Sequence, residues 1–424
     1  MAAASDVTGL TFAAVVQPSS FFDVRLRLAL VLLWLLPGLA AAQATLTGTV
    51  RDSLTQKPLP FASVFLVNTT RGATTDAQGH YTLERVPAGR YELAATYLGY
   101  RLRQQAVEVT AGPSTFNINL PPAAQQLAEV VVRPNPNRAA DYQRFLELFL
   151  GTSTFAKRCR VRDPEAVRVD YDAEQKALTA SVPHALEVDN LALGYRLTFH
   201  DLNFRADFTD QTMAVTTLSQ IVFRELPGSA GQRRRWAANR ERAYLGSYAH
   251  FLRSVYTNKV AEEGFLVQKL RRIPNRRRAA ADSVLRARRA VGKVLDQRSV
   301  PDSIWQLLRQ PKVLSLLYTP TLPPDSMRYT RGERVWVRFH DLLAITYERA
   351  RPDANYNSSG AASGQPLPRY QESVLHLRGR PYTELDARGA PLVPLSLVTE
   401  GYWGFQKMGE FLPLDYVPSS PTQP

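Results

Sequence analysis

Several side-chain groupings in this 424-residue sequence have the makings of a working site. His184-Ala185-Leu186-Glu187 carries the His-x-x-Glu spacing with which zinc hydrolases place two metal ligands. A distant histidine completes such sites and water takes the fourth position. Here His340 or His376 would have to be that third ligand. His200-Asp201 and His340-Asp341 are acid–base partners by residue type, and Cys159 is the single thiol. Arg233-Arg234-Arg235 and Arg276-Arg277-Arg278 are two runs of positive charge, the kind of feature that gathers acidic polymers by focusing potential.

The elements that must position these groups argue against most of that chemistry. The segment from Val182 to Val188 reads as a strand, on which His184 and Glu187 point to opposite faces. They cannot close on one metal without a bend, and no acidic general base sits in a recognisable setting nearby. The His-Asp pairs are adjacent in sequence, so on strands their side chains diverge. Cys159 has Lys157, Arg158 and Arg160 around it and no neighbouring histidine, which fits a small buried hydrophobe better than a nucleophile. The chain has no Gly-x-Ser-x-Gly elbow, phosphate loop, paired CxxC or dinucleotide fingerprint. The expectation is a protein with no catalytic, metal-binding or cofactor-binding residues and no cofactor.

Between Thr45 and Leu120, short apolar runs separated by turn residues recur every ~8–12 residues, the rhythm of an all-β sandwich. Tyr91, Leu93, Ala95 and Tyr97 alternate with Glu92, Ala94 and Thr96, which predicts one buried face and one wetted face. Asp76-Ala77-Gln78-Gly79 predicts a tight turn, with Gly79 free to take positive φ. Pro58 and Pro60 are placed beside the second strand, where a missing N–H is tolerated. The pieces Gly48–Asp52, Lys57–Val64, Gly72–Tyr81, Val86–Leu93 and Tyr97–Tyr100 together resemble the carboxypeptidase regulatory-like domain. That resemblance implies a transthyretin-like sandwich of the kind found in exported bacterial proteins, and it carries no chemistry of its own.

Ahead of the sandwich, residues 1–42 read as a secretory signal. Arg25 and Arg27 form its positive flank, Leu28 to Leu36 its apolar core and Ala40-Ala41-Ala42 its cleavage site, with Val24 an alternative start. The apolar run is too short for the ~20 residues of a membrane span, so the mature chain is expected to have no transmembrane helix. Cleavage would remove two acidic and two basic residues and leave the formal charge at +14. A lone cysteine in a disulfide-permissive compartment allows no internal bridge, so stability must come from the core.

After Pro121 and Pro122, Leu127-Ala128-Glu129-Val130-Val131-Val132 resembles the segment that joins such sandwiches to the plug of TonB-dependent receptors. The alternating ~10-residue strands of an outer-membrane barrel do not follow it. Residues 121–138 are therefore read as a linker. Residues 139–417 are read as one α+β domain with a basic helical insert at 231–298, and 418–424 as a disordered tail. Tyr142 to Leu150 predicts an amphipathic helix, and the stripe Leu245, Tyr248, Ala249, Leu252, Tyr256 predicts another, running from Tyr244 to Val267. A third is expected after Ala279, with Val284, Ala287, Val291 and Leu295 on one face. Strands are expected at 167–171, 178–182, 185–188, 195–199 and 213–223, with turns at 172–175 and 188–190. Strand-like pieces return from Val313, notably 334–340 and 373–377, around a Gly/Ser/Asn/Pro loop at 355–368. His250, beside the second stripe, is expected to be a part-buried histidine bonded to backbone. Phe149–Ser153, Ala156–Cys159, Asp170–Asp172, Ala192–Tyr195, Arg242–Ser247 and Tyr402–Phe405 resemble carboxypeptidase-like regulatory domain proteins of the Bacteroidetes type. No activity follows from that resemblance.

The fold class expected is therefore mainly β, a transthyretin-like sandwich followed by a larger mixed region. The positive excess is concentrated between Gly231 and Arg298, where 18 Lys or Arg face 5 Asp or Glu. Export removes the usual supply of nucleic acid. The partner expected is thus an envelope protein or an anionic envelope polymer (phosphorylated lipid headgroups, lipopolysaccharide or acidic glycan), met in the periplasm or at the outer membrane. The leading function is scaffolding by a non-catalytic envelope protein. The alternatives are a hydrolase in the second region and a companion of a TonB-dependent transporter.

Overall fold

Apolar alternation at the N-terminal end of the chain resolves into two four-stranded sheets packed face to face. The computed structural model describes residues 43–123, 135–209, 213–292, 300–356 and 368–418. The expected signal, the segment Leu127–Val132, most of the loop 355–368 and the terminal residues 419–424 lie outside these. The sandwich strands are β1 (Gln43–Asp52), β2 (Ser63–Leu66), β3 (Gly72–Thr74), β4 (His80–Pro87), β5 (Gly89–Thr96), β6 (Arg103–Val109), β7 (Ser114–Thr115) and β8 (Ile118–Leu120). One sheet runs β4-β1-β7, with β8 also on β1; the other runs β3-β2-β5-β6. Leu46, Val64, Leu66, Leu93, Ile118 and Leu120 fill the space between them. The 76–79 turn forms as predicted: the Asp76 carboxylate accepts from the Gln78 and His80 N–H groups at 2.9 and 2.8 Å. Gly79 has φ +77°, and a Cβ there would lie 2.8 Å from the Val50 carbonyl oxygen.

The β2–β5 sheet departs from the alternation rule. Ala94 should face water, yet it is fully buried, and so is Phe65, on the outer side of β2. The reason lies in the second region, which covers this face.

That region opens with the helix Arg138–Phe149, followed by β9 (Cys159–Val161), β10 (Arg168–Asp172), β11 (Ala177–Ser181), β12 (Ala185–Asn190), β13 (Tyr195–Phe208) and β14 (Met213–Glu225). These strands form a six-stranded sheet around the long β13, which pairs with β11, β12 and β14. Phe145 and Phe149 on the helix meet Phe199 and Phe204 on β13 in edge-on contacts of 5.0 Å. The helix ends at Gly151, which takes positive φ. The turn expected at 188–190 is instead the end of β12. Asn190 is buried and its side-chain oxygen caps the following turn, accepting from Ala192 and Leu193 N–H at 3.1 and 3.0 Å.

The helix Ala230–Tyr244 docks on that turn. Trp236, Asn239 and Arg240 donate to the carbonyls of Leu191, Ala192 and Leu193 at 3.1, 2.8 and 2.7 Å. Gly194 is obligatory here, because a Cβ would fall 2.2 Å from the Trp236 ring. The helix expected over 244–267 is shorter. Ser247 caps a helix at Tyr248–Thr257, and Asn258, in the left-handed region, ends it. Gly264 then admits a strand, β15 (Phe265–Pro274), so the basic stretch 231–298 is crossed by a sheet strand and is not one helical unit. The helices Arg276–Ala290 and Asp302–Arg309 follow, then β16 (Val313–Thr321), β17 (Arg328–Arg331), β18 (Arg334–Arg338), β19 (Leu342–Tyr347), β20 (Gln371–Leu377), β21 (Tyr382–Leu385), β22 (Leu397–Gly401) and the turn of helix Tyr402–Phe405. They build a sheet in the order β16-β15-β19-β20-β22 and a three-stranded sheet, β17-β18-β21. Phe251, Val255, Phe265, Ile345, Leu375 and Trp403 share its core. No helix among the described residues is long and apolar enough to cross a membrane.

Candidate interaction surface

Among the described residues, a strand exposed along its whole length grows out of β15. The first half of β15 is anchored in the core through Phe265, Val267 and Leu270; beyond Leu270 it leaves the core, and Arg271 and Arg272 are exposed. β16 pairs with this outgoing half, Leu317 opposite Leu270 and Val313 opposite Pro274. All nine residues of β16 are exposed, and it is the edge strand of its sheet. Leu314, Leu316 and Tyr318 share one face by the strand period, Val313 and Leu317 the other. Leu317 is 53% exposed. The helix Asp302–Arg309 that precedes it has no fully buried residue, and Arg276–Ala290 buries only Ala281. Val284 and Val291, expected on a buried face, are 40% and 67% exposed, and Leu295 lies outside the described residues.

Positive charge surrounds this arm. Arg276, Arg277 and Arg278 occupy the first turn of their helix, where the helix dipole opposes cations by about 0.3–1 kcal/mol each. Asn275 offsets part of this as N-cap, accepting from the Arg278 N–H at 3.2 Å. Arg278 is spoken for, by Asp282 at 3.2 Å and the Gln310 carbonyl at 3.3 Å. Arg272 is held by Glu400 at 2.9 and 2.5 Å, which keeps the Glu400 carboxyl below its usual range. Arg276, Arg277, Arg289 and Arg309 have no ion-pair partner among the described residues. The other triplet sits elsewhere. Arg233, Arg234 and Arg235 are exposed on the helix docked to the 191–194 turn, Arg233 donating to the Gly228 carbonyl at 2.8 Å. The two triplets therefore belong to different elements with different neighbours. The exposed strand that gives the second triplet its setting was not singled out by the sequence.

The sandwich meets the rest of the molecule across its β2–β5 face. Phe65 stacks on His200 at 5.0 Å. Asn68 N–H donates to the Ile221 carbonyl at 2.6 Å, Phe223 N–H to Thr69 at 3.0 Å and Leu414 N–H to Asn68 at 2.8 Å. Thr70 bonds Asp415 through backbone and hydroxyl at 3.0 and 2.6 Å. The Arg388 guanidinium lies 3.9 Å over the Tyr91 ring and donates to the Arg90 carbonyl. Residues 46–132 match the CarboxypepD_reg-like domain family. The N-terminal sandwich is a carboxypeptidase regulatory-like domain. The match stops short of the larger region. No curated protein matches the chain. Similar solved structures include a type II cohesin–X-dockerin complex of Acetivibrio cellulolyticus (28% identity, TM-score 0.16, 18% of this chain and 56% of that one). Others are catechol 1,2-dioxygenase of Acinetobacter sp. ADP1 (14%, 0.19, 23% and 59%) and the pilus 2b backbone protein of group B streptococcus (20%, 0.18, 19% and 42%). The chain spans less than two thirds of each.

The histidines are dispersed by the fold. β12 begins at Ala185, so His184 lies in the exposed bend before it, not in the strand expected, while Glu187 faces Arg162 at 3.3 Å. His200 is covered by the regulatory-like domain, and burial pushes its pKa down. Asp341 binds Lys269 at 3.1 Å, and His376 lies 3.6 Å from Glu400. Among the described residues no three His, Cys, Asp or Glu side chains could hold a metal ion. His250 is buried as a packed core residue: its Nδ1 accepts the Gly246 N–H at 3.1 Å and its Nε2 lies 3.2 Å from Glu263. Cys159 is half-buried, and desolvation pushes its thiol up to about 12.

Proposed function

We propose that this is an exported, non-catalytic cell-envelope protein that acts as a scaffold. The regulatory-like domain is its docking module, and the basic arm carrying β16 engages an anionic envelope lipid surface. One observation carries the reading: an apolar edge strand is exposed over nine residues beside arginines that have no carboxylate partner. Exposed Leu and Tyr with flanking arginines are the composition that seats a protein at a lipid headgroup boundary. Each arginine near such a surface contributes roughly 1 kcal/mol. Cations in the first turn of a helix work against that helix, and Arg278 is offset by Asp282, so a use outside the fold accounts better than stability does for Arg276 and Arg277.

The test is co-sedimentation of the mature chain with phosphatidylglycerol vesicles at low salt, with phosphatidylcholine vesicles as the neutral control. The wild type should bind the anionic vesicles selectively. Arg276→Glu with Arg277→Glu should weaken binding by more than about tenfold, since four charges change. Unchanged association would sink the proposal. Crosslinking in native envelope fractions then asks whether a protein shares the surface.

A further inference from the structure

Where the six-stranded and five-stranded sheets meet, their flanking elements leave a cleft of about 340 Å³. Phe149, Val215, Tyr244, Tyr248, Trp403 and Leu412 line it. Phe149 and Trp403 belong to the two separate cores, so the walls are fixed from both sides. Tyr248 packs edge-on against Trp403 at 5.7 Å. A largely apolar, preformed space at a junction of packed units is the usual setting of a small-molecule site.

Its polar groups do not cancel. Arg253 lines the cleft and gives its donors to neutral carbonyls: Arg388 at 3.0 Å, Tyr416 at 2.8 Å and Leu414 at 2.8 Å. Its charge is thereby solvated but not neutralised. Lys407 lines the cleft beside Gly151, whose absent side chain leaves room for the lysine stem; a Cβ there would lie 3.2 Å from Lys407 Cβ. Lys407 has no ion-pair partner among the described residues, and burial lowers its pKa. The one lining carboxylate, Glu410, is buried and bonded by Ser153 and Gln406, and desolvation pushes it toward its protonated form. Burial thus disfavours the charged form of both Lys407 and Glu410, while Arg253 keeps a charge that no carboxylate meets, so an incoming anion would favour the charged lysine. A charge in such surroundings is costly unless a counter-ion meets it.

We infer that the cleft binds an amphipathic monoanion, an apolar chain ending in a carboxylate whose head group meets Lys407. At about 30 Å³ per heavy atom the space takes a ligand of roughly ten non-hydrogen atoms. The site lies on other elements than the arm, so neither reading depends on the other.

Isothermal titration of the mature chain with sodium decanoate and with decanol tests it. Decanoate should bind one to one and more tightly than decanol. Lys407→Met should weaken decanoate by about tenfold or more while decanol is unchanged, and Lys407→Arg should restore the preference. Val215→Trp, which fills the space, should abolish both. Absence of decanoate binding by the wild type overturns the inference. So does an equal loss for both ligands in Lys407→Met. If that variant does not fold, the wild-type preference decides, and decanoate binding no tighter than decanol refutes the head-group contact.

Discussion

Replacing Phe65 with alanine tests whether the regulatory-like domain is fixed to the rest of the chain. The ring belongs to the sandwich by sequence but projects away from its core onto His200, with 2% of its surface exposed. A Phe→Ala change in a closed core costs about 3–5 kcal/mol. The lower end applies here, about 3 kcal/mol, because a cavity beside a histidine can admit water. With urea slopes of about 1–3 kcal/mol per M, the midpoint should fall by roughly 1–3 M. The informative readout is tryptophan fluorescence of a chain lacking residues 1–42, and with them Trp34, since the other four, Trp236, Trp305, Trp336 and Trp403, all lie beyond the sandwich. If the covered face couples the two parts, a substitution in β2 moves a transition reported from the other region. Leu98→Ala, at a position 82% exposed, is the control and should stay within about 0.5 kcal/mol of wild type. A tryptophan transition that Phe65→Ala leaves unmoved would refute the coupling.

Gly79→Ala should destabilise the sandwich by about 1–3 kcal/mol, because φ is +77° and the new Cβ meets the Val50 carbonyl; a thermal melt followed by far-UV circular dichroism reads it. Cys159, with its thiol pushed up to about 12, should be inert to a disulfide-exchange reagent at pH 8 and react with one equivalent once the chain is unfolded. His250 is held below the ordinary histidine value by burial, so the unfolded chain binds its proton more readily. Its contribution to stability is therefore present above the ordinary value near 6.5 and is lost as pH falls through the lower folded value. His250→Gln should flatten urea midpoints measured across that window, and an unchanged slope would show that other groups set it.

The fold was legible where the signal is local. Alternation placed the strands around β13, the spacing from Tyr142 to Leu150 placed the helix Arg138–Phe149, and Asp76 to Gly79 formed the turn its residues ask for. Failures came where a distant partner decides. Ala94 reads as part of a wetted face, yet it is buried, as is Phe65 opposite it on β2, whose ring stacks on His200 more than a hundred residues on. The stripe after Tyr244 fits a longer helix than forms. Asn258 adopts the left-handed region, and the chain from Phe265 is taken up by pairing with β19, which local periodicity does not see. Val284 and Val291 follow a helical stripe faithfully, but little packs against it.

The same distinction governs the candidate surface. Composition located the positive charge, whereas which arginines are free depends on contacts across the fold: Glu400 takes Arg272 across 128 positions and Gln310 takes Arg278 across 32. Val313-Leu314-Ser315-Leu316-Leu317-Tyr318 has the composition of a buried strand, and only the sheet order shows it to be an edge. Folded chains blunt such edges with charge, proline or a covering element, because an open apolar edge invites pairing with other chains. Here Pro320 removes one donor near the end of the strand, and Lys312 lies just before its start. The leucines between them have no such guard. An edge kept apolar in the middle, with the unpaired Arg276, Arg277 and Arg309 on the helices that lead into it, is costly to leave uncovered in water. Its composition makes physical sense for a surface that spends its working life against something both anionic and oily.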